Sequence, residues 1–178
     1  DIHFDYKLAI ESVFAGIDKI RINPGNISKD AVKEVVKVCS QKNVPIRVGV
    51  NSGSLERNLG SNLTKSEAMV KSALNDIHLL ESYNFNNIVV SLKSTDVKTS
   101  VEAYRLMSNQ CDYPLHLGVT ESGTKYIGSI KSSIGIGSLL LDGIGDTIRV
   151  SLTDEPVEEV KCGIGILKAL NLYPEGVN

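Results

Sequence analysis

Apolar positions recur along the chain as short runs separated by helical stripes. Asp18–Asn23 (DKIRIN) is an apolar run closed by Pro24-Gly25-Asn26 and predicts a strand. Ser28 then offers an N-cap, and Val32, Val35, Val36 and Val38 share one face of a helix over Asp30–Lys42. Ile46–Asn51 (IRVGVN) predicts the next strand. Thr64 and Glu67 make a capping box for a helix to about Ser82, with Ala68, Ala73, Ile77 and Leu80 inward. Asn87–Lys93 (NIVVSLK) is strand-like, and Thr95 or Asp96 caps a helix to Asn109. Leu115–Thr120 predicts a strand, followed by a helix over Lys125–Leu141 that Gly143 stops. Asp146–Leu152 (DTIRVSL) is the last strand. Pro156 opens a helix to about Leu170, with Glu155, Glu158 and Glu159 suited to its N-terminal dipole. Ahead of all these, Asp1–Phe4 reads as the tail of another strand and Tyr6–Ala15 as a helix.

Five strands, each followed by a helix at intervals of roughly 30 to 40 residues, are the beat of βαβ units. The strands are Val/Ile/Leu runs rather than clean alternations, which predicts a parallel α/β sheet covered on both faces. An open doubly wound sheet and a (β/α) barrel both fit this pattern. A full barrel takes about 250 residues, and the chain has 178. It begins on Asp with a strand-like run at once, so the expectation is a fragment preceded by two or three further barrel strands.

Composition narrows the function. Apolar content is 42% and no run reaches the length of a membrane span, so no membrane association is expected. A formal net charge of −2 without a basic tail argues against a nucleic-acid partner. Nothing at the start resembles a signal segment. Cys39, Cys111 and Cys162 are far apart with no CxxC, and the three histidines form no HxH or HxxxH pair. The cysteines read as small core residues of a reducing, cytoplasmic compartment, and no metal is expected on this chain alone.

In parallel α/β folds the chemistry sits at the strand C-termini. Those ends carry Asp1 and His3, Arg21 and Asn23, Arg47 and Asn51, Ser91 and Lys93, Glu121, then Arg149 and Ser151. Arginine forks onto phosphate, lysine adds a compact charge, and asparagine or serine donates neutral hydrogen bonds. Asn51-Ser52-Gly53-Ser54 adds backbone N–H groups suited to an anion nest, although such a run is also an ordinary turn. The expected ligand is an oxygen-rich anion. Glu121, closing the apolar run LHLGVT, is the candidate proton donor or acceptor, or else an ion-pair partner that orders a cation. Gly135-Ile136-Gly137 and Gly143-Ile144-Gly145 lack the strand–glycines–helix order of a dinucleotide site. Tyr104 and Tyr126 read as helix surface or packing residues, and Lys29, Lys33 and Lys37 as a solvated helix face. Three other readings stay open on these residues: a Schiff-base aldolase-type barrel with Lys93 as nucleophile, a dihydropteroate-synthase-like barrel, and a non-catalytic phosphate-binding module.

The strand-end motifs taken together resemble the 4-hydroxy-3-methylbut-2-enyl diphosphate synthase family of the non-mevalonate isoprenoid pathway. The matching pieces, in order, are DIHFDYKLAI (Asp1–Ile10), RINPGNI (Arg21–Ile27), PIRVGVNSGSLE (Pro45–Glu56), VSLKSTDV (Val90–Val97), PLHLGVTESG (Pro114–Gly123), GIGDTIRVSLT (Gly143–Thr153) and DEPVEEVK (Asp154–Lys161). The resemblance implies an incomplete TIM-barrel-like (β/α) barrel of about five to six of eight units. It lacks N-terminal strands and a C-terminal domain that carries a four-iron four-sulfur (4Fe-4S) cluster. It implies an oxidoreductase that opens 2-C-methyl-D-erythritol 2,4-cyclodiphosphate and removes water, with electrons from flavodoxin or ferredoxin, working as a homodimer. By the same resemblance His3, Arg21, Asn23, Arg47, Asn51, Ser91, Lys93, Arg149 and Ser151 bind substrate and Glu121 is catalytic. The cluster ligands lie outside this chain, which is expected to be inactive alone. Ser122 replaces the alanine that many relatives have, a change expected to matter little.

Overall fold

The computed structural model describes residues 5–24, 27–53 and 62–174. Helices and strands alternate: α1 (Tyr6–Phe14), β1 (Ile20–Ile22), α2 (Lys29–Lys42), β2 (Ile46–Asn51), α3 (Lys65–Glu81), β3 (Ile88–Lys93), α4 (Val97–Ser108), β4 (His116–Leu117), α5 (Lys125–Leu141), β5 (Thr147–Ile148) and α6 (Pro156–Ala169). The strand tail expected over Asp1–Phe4 lies outside the described residues.

The helix starts follow their capping chemistry. Ser28 accepts from the Ala31 N–H, Thr64 and Glu67 close both bonds of the capping box, and Asp96 rather than Thr95 caps α4 through the Thr99 N–H. Gly143, at φ 73°, ends the turn after α5. In α3 the buried stripe runs through Met69, Val70, Ala73, Ile77 and Leu80, while Ala68 is only half-buried.

Strands β1, β2 and β3 pair in that order, all parallel, with Ile20 opposite Ile46 and Ile46 opposite Ile88. Strands β4 and β5 pair in parallel, His116 opposite Thr147. A parallel bridge between Val90 and Leu115 joins the two groups. Spatial neighbours are therefore consecutive in the chain, with no reversal of order. A doubly wound sheet requires such a reversal, so the two architectures the pattern left open resolve to an incomplete (β/α) barrel.

The strands do alternate, against the sequence expectation. Ile20, Ile22, Ile46, Val48, Val50, Ile88, Val90 and Leu92 are buried in the hydrophobic core. The intervening Arg21, Arg47, Asn51, Ser91 and Lys93 share the opposite, inner face and line one cavity. Apolar residues usually fill a barrel interior; here the inner face at the C-terminal end is polar and cationic.

The last two ladders are shorter than the runs Leu115–Thr120 and Asp146–Leu152. Beside β3, helix α4 binds the backbone of Leu92. The Leu92 N–H donates to Tyr104 Oη (3.0 Å), and the Leu92 carbonyl accepts from Ser100 Oγ (3.3 Å). Tyr104 is thus a fully buried residue whose hydroxyl reaches the sheet, while Tyr126 is the exposed one of the pair. Cys39 is fully buried, and burial pushes its thiol up to about 11.

Candidate anion-binding site

A cavity of about 150 Å³ opens at the C-terminal ends of the strands. The described residues lining it are Arg21, Arg47, Asn51, Ser91, Lys93, Thr120 and Arg149: four cations, an amide, two hydroxyls and no carboxylate. Six of the nine expected substrate-binding residues are therefore brought together. Asn23 and Ser151 are half-buried beside this group without lining the cavity. His3 lies outside the described residues, as do Asp1 and Ser54. Thr120 is a wall residue that the sequence reading passed over as the end of an apolar run. Its signal was periodicity: Leu117 and Val119 are buried in the core, so Thr120 turns to the other face.

Small residues make room for the cations. Arg21 Nη2 donates to the Gly49 carbonyl (3.2 Å), and a Cβ on Gly49 would run into the Arg21 guanidinium. A Cβ on Gly118 would lie 3.4 Å from Lys93 Cε and 2.7 Å from the Arg149 carbonyl oxygen. Ser91 Oγ donates to the Val48 carbonyl at 3.3 Å and ties β3 to β2 at the cavity wall.

The electrostatics are those of crowded positive charge. Lys93 is only 4% exposed, and burial, then Arg149, Arg47 and Arg21, push it down to about 7. Arg47 is lowered by burial and by Arg21 and Arg149, and Arg21 by burial and Arg149. His116 is pushed down to about 3 by burial first and then by Lys93, Arg47, Lys19 and Arg149. Its imidazole is neutral, with Nδ1 at 2.8 Å from Thr147 Oγ1. A bound anion would relieve this field.

Glu121 is exposed and lies one residue beyond Thr120, outside the cavity wall. Its backbone is left-handed, at φ 50°. The other non-glycine residues at positive φ among those described are Asn43, Asn84 and Asn171, and asparagine tolerates that region far better. The buried Ser122 holds the turn, its hydroxyl donating to the Val119 carbonyl at 3.1 Å. Ser122 therefore has a backbone partner within the turn.

Among the described residues no group of His, Cys, Asp and Glu could hold a metal ion. The free thiols of Cys39, Cys111 and Cys162 are separate, so they do not fit an iron–sulfur cluster, which needs convergent cysteine ligands. No described helix is long and apolar enough to cross a membrane.

A family model described as the GcpE TIM-barrel domain matches residues 1–164. The chain belongs to the GcpE TIM-barrel family. Proteins named 4-hydroxy-3-methylbut-2-en-1-yl diphosphate synthase (flavodoxin) are similar along its length. That of Fusobacterium nucleatum is 59% identical over 99% of this chain and 51% of its own. Those of Clostridium acetobutylicum and Geobacter sulfurreducens are 57% and 54% identical, over 99% and 100% of this chain and 52% and 51% of theirs. This GcpE chain thus spans about half the length of the curated relatives it matches. A solved carboxyl transferase domain of Rhizobium etli pyruvate carboxylase superposes with a TM-score of 0.60 over 93% of this chain and 27% of its own. At 12% identity that is a likeness of fold alone.

Proposed function

We propose that this chain is the diphosphate-binding barrel part of a 4-hydroxy-3-methylbut-2-enyl diphosphate synthase. The observation that carries the reading is the convergence of Arg21, Arg47, Lys93 and Arg149 on one small cavity lined by no described carboxylate. A cyclodiphosphate supplies the negative charge and the many acceptor oxygens that such a wall requires. Asn51, Ser91 and Thr120 add neutral polar contacts, and His3, Asn23 and Ser151 belong to the surrounding substrate shell.

The substrate of this reading is 2-C-methyl-D-erythritol 2,4-cyclodiphosphate, which is reductively opened and loses water. The four arginine and lysine side chains hold the diphosphate and orient the sugar-derived carbons beside Glu121. The Glu121 carboxyl supplies the proton with which the leaving hydroxyl departs as water. A 4Fe-4S cluster held by a domain outside this chain would supply the electrons, with flavodoxin or ferredoxin as their donor, in a cytoplasmic homodimer. The flavodoxin in the relatives' names supports the donor, and the relatives' length, about twice the span matched here, leaves room in them for a further domain.

One observation favours a second reading. A buried lysine held down to about 7 at a strand end is the form a Schiff-base aldolase needs. The experiment that separates the two uses the full-length, cluster-loaded protein. Conversion of the cyclodiphosphate to the allylic diphosphate, abolished by Lys93→Met, supports the synthase. Borohydride trapping of a carbonyl substrate on Lys93, without that conversion, supports the aldolase.

A further inference from the structure

The seam between β3 and β4 is built differently from the other ladders. At its lower end the Val90 N–H donates to the Pro114 carbonyl (2.9 Å), and Val90 bridges Leu115. At its upper end the Thr120 N–H donates to the Ser94 carbonyl (3.2 Å). Between them, parallel register would bring the Leu92 N–H onto the His116 carbonyl. Instead the Leu92 N–H donates to Tyr104 Oη (3.0 Å), and Tyr104 Oη donates to the His116 carbonyl (2.5 Å). Ser100, one turn earlier on the same face of α4, donates to the Leu92 carbonyl (3.3 Å). Two buried hydroxyls of one helix therefore hold both polar backbone groups of Leu92.

A direct ladder bond keeps N and O about 2.9 Å apart, whereas a relay through a hydroxyl separates them by roughly 4–5 Å. The insertion thus widens the seam next to Lys93. Lys93 stands on one side of it and Thr120, three residues beyond β4, on the other, both in the cavity wall. Packing alone does not call for the hydroxyl. A phenyl ring fills the same volume, and the backbone groups can bond directly once the oxygen is gone. Burial keeps the phenol protonated, as its donation to the His116 carbonyl requires.

We propose that Tyr104, assisted by Ser100, is a positioning residue of the anion site: its hydroxyl, inserted into the β3–β4 seam, sets the separation across which Lys93 and Thr120 face the ligand. The inference rests on the anion-site reading given above. It makes α4, which contributes no wall residue, part of the binding machinery.

The test compares wild type, Tyr104→Phe and Ser100→Ala in the full-length protein. Inorganic pyrophosphate binding is measured by calorimetry, stability by thermal unfolding, and the Lys93 ammonium titration by side-chain NMR. Tyr104→Phe is expected to fold, to bind pyrophosphate about tenfold or more weakly, and to titrate Lys93 at a displaced midpoint. Ser100→Ala is expected to move both in the same direction by less. A Tyr104→Phe protein that only melts earlier, with the wild-type dissociation constant and Lys93 midpoint, overturns the proposal. If Tyr104→Phe does not fold, Ser100→Ala decides: wild-type affinity and midpoint overturn the proposal, and a loss of affinity upholds it. If wild type itself does not bind pyrophosphate, the anion-site reading falls. The positioning role falls with it, whereas pyrophosphate binding by wild type that Tyr104→Phe and Ser100→Ala leave unchanged overturns the positioning role alone.

Discussion

The guanidinium of Arg21 lies across Gly49: Nη2 donates to the Gly49 carbonyl, and residue 49 has no side chain to dispute the space. An added methyl would meet only the end of the arginine, which can swing away. Gly49→Ala is therefore expected to fold with nearly wild-type stability while losing pyrophosphate affinity by about tenfold, as for one misplaced charge-assisted contact. Calorimetry beside thermal unfolding checks this. A variant that is destabilised but binds normally contradicts it.

Gly118 poses the opposite case. The methyl of Gly118→Ala would meet the Arg149 carbonyl oxygen, which is backbone and cannot swing away. The expected outcome is a loss of about 1–3 kcal/mol of stability as β4 and β5 are forced apart. Denaturant unfolding measures it, and an undisturbed midpoint would count against so close an approach of the two strands.

Lys93 ties stability to pH. Its ammonium is held down to about 7 in the fold against an ordinary 10.5. Between those values the unfolded chain binds the extra proton, so this group makes stability rise with pH from about 7 to 10.5 and contributes none of that gain below 7. Lys93→Met should be more stable than wild type near pH 7 by on the order of 1–3 kcal/mol, since a buried charge is replaced by an apolar side chain. The difference should vanish toward the upper end of the window, and parallel stability curves would refute it. An anion beside Lys93 favours its charged form, so binding above pH about 7 should take up a proton and weaken as pH rises. Calorimetry in buffers of different ionisation enthalpy reads that proton directly.

Glu121 occupies a backbone conformation that costs a glutamate energy. Glu121→Gly should relieve it, gaining about 1 kcal/mol of stability, while abolishing turnover in the full-length enzyme. Glu121→Gln should keep substrate binding and lower single-turnover rates by about 10²–10⁴-fold, the range for a general acid–base group. A Gln variant that turns over at the wild-type rate once saturated would remove Glu121 from the chemistry.

The elements with strong local signals were legible from sequence: the Thr64–Glu67 capping box, the valine face of α2, and Lys125–Leu141 to its end residues. The cation cluster was legible too, because strand ends could be lined up without knowing which strands are neighbours. Neighbour order itself is a long-range property, so periodicity alone left barrel and doubly wound sheet open; the family resemblance pointed to the barrel, and the strand order bears it out. Tyr104 was legible as a packing residue, but the place of its hydroxyl was not, for the same reason. Nothing local in α4 says that its hydroxyl enters the seam between Leu92 and His116. Glu121 was singled out by its place after an apolar run, but its left-handed backbone and exposure outside the cavity wall were not legible there.

The cations of the polar barrel mouth would hold a diphosphate. The most direct test of this is calorimetric titration of the full-length protein with 2-C-methyl-D-erythritol 2,4-cyclodiphosphate, wild type against Arg47→Ala. Arg47 lines the cavity and is partly withdrawn from solvent, so losing a charge-assisted fork there should cost about 2–3 kcal/mol, a fall in affinity of roughly 30- to 150-fold. Saturable binding by wild type and that loss in the variant are the predicted result. Equal affinity in the two proteins, or no binding by wild type, would contradict the account.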